Sequence, residues 1–209
     1  MPDPGGRRPR ALRPWPRKRP SRRERYWVKP SGKRLGEVTA ADLLLVDLDG
    51  RVLAGDREPH GELPYRARRD AEAVIHTHPF HTAALAASTG QFEMVSQDSV
   101  LFAGGIGRFD TAQLILTREL GRGVAEALGN LAVAILRNHG LVVAGTSIEE
   151  AVVLAVSFER SVATQLAAEQ LGGVASLSLD EVEDLAQSIR ARGQRRIAGL
   201  YRALASRVQ

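Results

Sequence analysis

Apolar and polar residues follow two different periods along this chain, and the changes of period mark its elements. Tyr26-Trp27-Val28 is a run of β-formers that stops at a Pro30-Ser31-Gly32 turn. Residues 37–54 read as a short helical turn, a strand over 43–47, an Asp49-Gly50 turn and a strand over 51–54, since Asp-Gly between apolar runs favours a hairpin. Residues 63–71 read as a helix. Ala73 to His78 is a short β-rich run halted by Pro79, which suits the first turn of a helix beginning with Phe80. Residues 110–117 read as a strand and 118–129 as a helix closed by Gly129. Two apolar strands then flank an Asn138-His139-Gly140 corner within residues 131–145. Capping-box spacing at 146–150 introduces a long helix ending near Gly172-Gly173, and Ser178 with Glu181 introduces a last helix running to about Ala205. Strands and helices alternate without repeats, which predicts an α/β or α+β fold in layers.

Charge changes this picture at one end. Residues 1–25 hold ten Lys/Arg against Asp3 and Glu24, a net of +8, while the remaining nineteen basic and twenty-two acidic residues leave −3. Seven of the ten prolines lie in the first thirty residues. Proline breaks helices and like charges repel, so residues 1–25 are expected to be a disordered basic tail and 26–209 the folded domain. Basic charge confined to a tail, with no folded face carrying it, argues against specific nucleic-acid binding. No apolar run approaches the length of a membrane span, and the N-terminus lacks the apolar core of a secretory signal. The absence of cysteine excludes disulfides, thiolate metal sites and a cysteine nucleophile. A cytoplasmic setting is the expectation.

Chemistry concentrates in five histidines: His60, His76, His78, His81 and His139. Strand side chains alternate faces, so His76 and His78 point the same way and are placed to chelate a divalent cation. His139 sits at the corner between two apolar runs, where a side chain is presented and Gly140 permits close backbone approach. Three neutral imidazoles with one open position match the ligand count of a catalytic zinc site. His81, at a helix start, reads as lining the pocket. Glu62 follows His60-Gly61 in a loop between two prolines, close in sequence to the histidine pair.

Ser31-Gly32, the His60-Gly61-Glu62 loop, "AEAVIHTHPFHTAALAA" and "ILRNHGLVVAGTSIEEAV", in this order, resemble the class II aldolase/adducin superfamily. The resemblance covers about residues 26–172 and implies a three-layer αβα domain around a central, mainly antiparallel sheet. It also implies a homotetramer with sites near subunit interfaces and a small-molecule substrate. On that pattern His76, His78 and His139 hold Zn²⁺ or another divalent ion such as Mn²⁺, Co²⁺ or Fe²⁺, and Glu62 is the catalytic acid/base. Metal-free members such as adducin lack part of this set.

The chain departs from the sugar-phosphate members in its substrate loops. An upstream Gly-Asn loop is missing, and a Ser-Ser pair before the glutamate is replaced by His60-Gly61, although Ser31-Gly32 survives. Phosphate needs several N–H and hydroxyl donors, so the expected substrate is not a phosphate ester. Ser31, Gly32, His60 and Gly61 remain the substrate-binding candidates. The resemblance therefore points to a metal-dependent carbon–carbon lyase, a decarboxylase of a hydroxy-aromatic or oxo acid. Retro-aldol cleavage of a sugar or sugar phosphate, and a non-catalytic adducin-like module, are the competing readings.

Overall fold

The computed structural model describes residues 24–59 and 67–207. The chain divides into two compact units, Met1–Pro59 and His60–Gln209. In the first, β1 (Arg25–Val28), β2 (Leu44–Asp47) and β3 (Val52–Ala54) form an antiparallel meander in that order. Val28, Leu44 and Val46 are its buried positions, two residues apart within β2 as the pleat requires. The expected Asp-Gly turn closes the hairpin: Asp47 Oδ1 accepts from the N–H groups of Asp49 and Arg51, and Gly50 takes a φ of 80°. The expected helical turn is a single 3₁₀ turn at Ala40–Asp42.

The second unit is built on a four-stranded sheet in the order β4-β7-β6-β5, comprising β4 (Ala73–Thr77), β5 (Gly107–Phe109), β6 (Val133–Leu136) and β7 (Gly140–Gly145). Only the β5–β6 pair is parallel, so the sheet is mainly antiparallel, as expected. Helices α1 (Phe80–Ala87), α2 (Arg118–Leu128), α3 (Ile148–Gln170) and α4 (Leu179–Ala205) follow in chain order. Alternation along the strands sorts their apolar residues into two cores. Val133, Ile135, Leu141 and Val143 face α1 and α3 through Leu85, Leu154, Phe158 and Val162. Ala134, Leu136, Val142 and Ala144 face α2 through Val124 and Leu128. The result is an αβα sandwich.

Helix ends follow local chemistry. Ser147 and Ser178 cap α3 and α4 through the N–H groups of Glu150 and Glu181, and Gly129 closes α2 with φ 48°. Among the described residues, α3 is the one helix long and apolar enough to cross a membrane, with a best mean hydropathy of 1.2. It also carries Glu159 and Arg160, and its apolar face forms the core with the sheet.

Two expectations are corrected. Residues 110–117 are not a strand: only Ile115 packs inward, while Leu114 and Leu116 stand exposed. The strand beside β6 is instead the short β5, which has no readable period. The expected helix over 63–71 lies partly outside the described residues, and its described end is a turn. There the buried Arg68 guanidinium donates to Gly129 O (3.1 Å) and Leu131 O (2.7 Å) and forks onto Asp70, contacts that a continuing helix could not make. The last helix runs to Ala205 as expected and carries a kink at Gly193, where φ is 41° and ψ −135°.

Candidate metal centre

β4 places Val74 and His76 on the same face of the sheet, opposite Ile75, and its register pairs His76 with Val142 of β7. His78 leaves the strand one residue beyond its end. The β6–β7 hairpin turns through Arg137, Asn138 and His139, with Leu136 paired to Gly140. Asn138 makes the turn possible, since it takes φ 53° and its N–H donates to Ala86 O at 3.2 Å. Asparagine tolerates this left-handed conformation better than most residues. Because β7 pairs with both β6 and β4, the corner brings His139 beside the histidine pair.

Ligand nitrogens of His76, His78 and His139 lie within 4.8 Å of one another, and ring centroids are 4.7–4.9 Å apart. A tetrahedral zinc with N ligands at ~2.05 Å needs nitrogens about 3.3 Å apart, a contraction within the reach of side-chain rotation. Two further observations fit a cation. Nδ1 of His139 is buried with no hydrogen-bond partner among the described residues. Nδ1 of His76 sits 3.0 Å from Leu141 O, and donation there fixes the tautomer in which Nε2 would be the ligand atom. Burial, helped by the neighbouring His78, holds the His139 pKa below the usual imidazole value. The neutral ring is the metal-binding form. Gly140 makes room for the cluster, because a Cβ there would press on Thr77 O and lie 2.7 Å from His78 Cδ2.

His81 is held by a residue that sequence reasoning missed. Glu159 of α3 accepts from the N–H groups of His81 (3.0 Å) and Thr82 (2.9 Å), from the Thr82 hydroxyl (2.7 Å), and lies 2.8 Å from His81 Nδ1. Pro79, the α1 N-cap, offers no side-chain cap, so this carboxylate takes over that role from another helix. Burial alone would raise the Glu159 pKa; the Thr82 hydroxyl and the two backbone N–H groups outweigh it and bring the carboxyl below its ordinary value. A charged residue next to Phe158 on a core helix was the only hint in the sequence.

His60, Gly61 and Glu62 lie outside the described residues. Ser31 and Gly32 belong to the other unit, where Ser31 N–H donates to Glu58 O at 2.9 Å and Gly32 turns the chain with φ 76°.

A strand-exit His-x-His joined by a hairpin histidine, on a layered α/β scaffold, makes a three-imidazole cluster that could hold a metal ion. The chain belongs to the class II aldolase and adducin N-terminal domain family, whose pattern matches residues 16–166. It is similar to 5-deoxy-D-ribulose 1-phosphate aldolase of Bacillus thuringiensis serovar kurstaki, 29% identical over 172 residues that cover 80% of each chain. It is also similar to 3,4-dihydroxyphthalate decarboxylase of Arthrobacter keyseri, 33% identical over 159 residues, covering 69% of this chain and 64% of that one. An aldolase II superfamily protein from Pseudomonas syringae shares its fold with a TM-score of 0.77 at 26% identity, covering 90% of this chain and 80% of the other.

Proposed function

We propose that the protein is a divalent-metal-dependent carbon–carbon lyase, with His76, His78 and His139 holding Zn²⁺ or a similar ion. The convergence of these three imidazoles from two distant strand ends carries the reading. A bound cation supplies Lewis acidity, offsetting negative charge that builds on substrate oxygens as the adjacent carbon–carbon bond breaks. The chain's own residues do the rest. Leu141 O orients the His76 ring, and the Asn138 turn presents His139. Glu62 is the acid/base, delivering a proton to the carbon that CO₂ leaves with its bonding electrons behind. Ser31, Gly32, His60 and Gly61 contact the substrate.

The preferred substrate is a small hydroxy-aromatic or oxo acid, because His60-Gly61 lacks the two hydroxyls that a phosphate group would use. The similarity to a decarboxylase of a dihydroxyphthalate supports this choice. Retro-aldol cleavage of a sugar phosphate is the second reading, favoured by the longer reach of the aldolase match, 80% of both chains. The reading includes a cytoplasmic homotetramer with sites near subunit interfaces, and the exposed Phe80, Leu114 and Leu116 are apolar surface such an assembly would cover. It also keeps residues 1–25 as a tail outside the domain, although the family match begins at residue 16.

The test is elemental analysis of purified protein and of His139→Ala, followed by assay of metal-loaded protein against hydroxy-aromatic dicarboxylates and phosphorylated ketoses. One ion per chain, lost in the variant, with CO₂ released from the first panel, is the expected result. Full metal occupancy in a folded His139→Ala protein would sink the ligand assignment. Cleavage of the ketose panel alone would overturn the substrate choice and leave the centre standing.

A further inference from the structure

The hairpin corner that presents His139 has a second flank. Arg137 N–H donates to Phe109 O at 3.0 Å, tying the end of β6 to β5. β7, leaving the corner, pairs on its far side with β4 and the histidine pair. Arg137 and His139 thus serve opposite sides of one turn whose middle residue, Asn138, takes φ 53°. On the Arg137 side lies a cleft of about 440 Å³, lined by Arg108, Arg137, Asn138 and the turn of residues 88–91 that follows α1. None of the three clustered histidines lines it.

Its two cations stand on different terms. Arg108 is partly committed: its guanidinium donates to Ser88 O (3.0 Å) and to Asp110 Oδ1 (3.3 Å), which holds it against the turn after α1. Arg137 is only half exposed, and among the described residues its guanidinium has neither a hydrogen bond nor an ion pair. A guanidinium without a counter-charge keeps its five N–H donors available to a ligand, and it cannot shed its charge by losing a proton. Its planar fork matches phosphate and carboxylate oxygens, and a second arginine on the same wall adds to the attraction. Thr89, Gln91 and Asn138 add neutral hydrogen-bonding groups to the lining.

We propose that this cleft is an oxyanion site, taking the phosphate or carboxylate group of a small molecule, with Arg137 as its primary ligand and Arg108 as its second. It is separate from the histidine centre and stands whether or not the lyase reading holds.

Titration calorimetry at constant ionic strength, with inorganic phosphate and with phthalate as probes, tests it. The Arg137-dependent part of the binding is expected to be the same in wild type and His76→Ala, since the site does not use the histidine centre. Arg137→Gln should weaken binding about tenfold, the loss expected for one charge-assisted contact. Arg137→Lys should fall between. Asp110→Asn, which releases Arg108 from its carboxylate, should tighten binding, a gain that damage to the fold cannot produce. The tighter probe of the two identifies the group as phosphate or carboxylate. No binding of either probe to wild type would overturn the proposal. So would binding that Arg137→Gln leaves unaltered, or binding lost in His76→Ala, which would place the anion at the histidines.

Discussion

Gly140→Ala is the substitution whose consequence the geometry states most directly. Gly140 does not have a positive φ, so alanine meets no backbone penalty there; the obstacle is space. The new Cβ would press on Thr77 O, a backbone atom, and lie 2.7 Å from His78 Cδ2. Carbon–oxygen approaches normally stop at roughly 3.3–3.6 Å, so Thr77 must recede by most of an ångström. Thr77 is locked to Leu141 in the β4–β7 ladder, and separating them loosens the strand pair that carries the histidines. Overpacking of this kind costs about 1–3 kcal/mol. At roughly 2–4 °C per kcal/mol for a chain of this size, the melting temperature should fall by ~2–12 °C. The displaced His78 ring matters more for function, because metal sites tolerate errors of only about 0.2 Å in ligand position. A ~10–100-fold loss of metal affinity is expected, the size of effect seen when support around a ligand is removed. Thermal unfolding with and without added zinc, plus competition against a chromophoric chelator, measures both quantities. Gly104→Ala is the control, since a Cβ there meets nothing within 4 Å. A Gly140→Ala protein that melts with wild type and takes up zinc equally well would refute the reasoning.

Three further outcomes are expected. Glu159→Gln should destabilise by about 1–3 kcal/mol at neutral pH, since a charged acceptor at the start of α1 is lost. Because the folded-state pKa of Glu159 is depressed, this contribution is present above the ordinary glutamate range and lost as pH falls through the folded value. Melts taken down the acid limb should therefore bring wild type and variant together, and a gap that stays constant with pH would contradict the assignment. Glu62→Gln should keep its metal yet lose ~10²–10⁴-fold in turnover, as for a removed general acid, and an unchanged rate would remove Glu62 from the mechanism. A chain beginning at Arg25 should retain its melting temperature and metal content; a clear loss of either would show that the family match from residue 16 reflects a folded contribution.

Local pattern alone determined much of this protein. Apolar and β-rich runs bounded by turn signals located β2, β4, β6 and β7, and the alternation of strand side chains assigned His76 and His78 to one face. Side-chain oxygens and glycines set the ends of α2, α3 and α4, because a cap acts on N–H groups within three residues of itself. Ligand chemistry likewise marked His139 as the third imidazole before its neighbours were known. What the tertiary structure decided is everything whose partner lies far away in sequence. Residues 110–117 have the composition of a strand, yet the place beside β6 went to three residues led by Gly107, where a Cβ would collide with Ala127 O. Arg68 ends as a turn because carbonyls at 129 and 131 claim its guanidinium. Glu159 caps a helix some seventy-eight residues before it, and Arg137 lines a cleft with Arg108 only because β5 lies against β6. Propensity and periodicity report interactions within a turn or a strand. Which of two strand-like segments wins an edge, and which charge meets which helix end, is settled by packing that no local window contains.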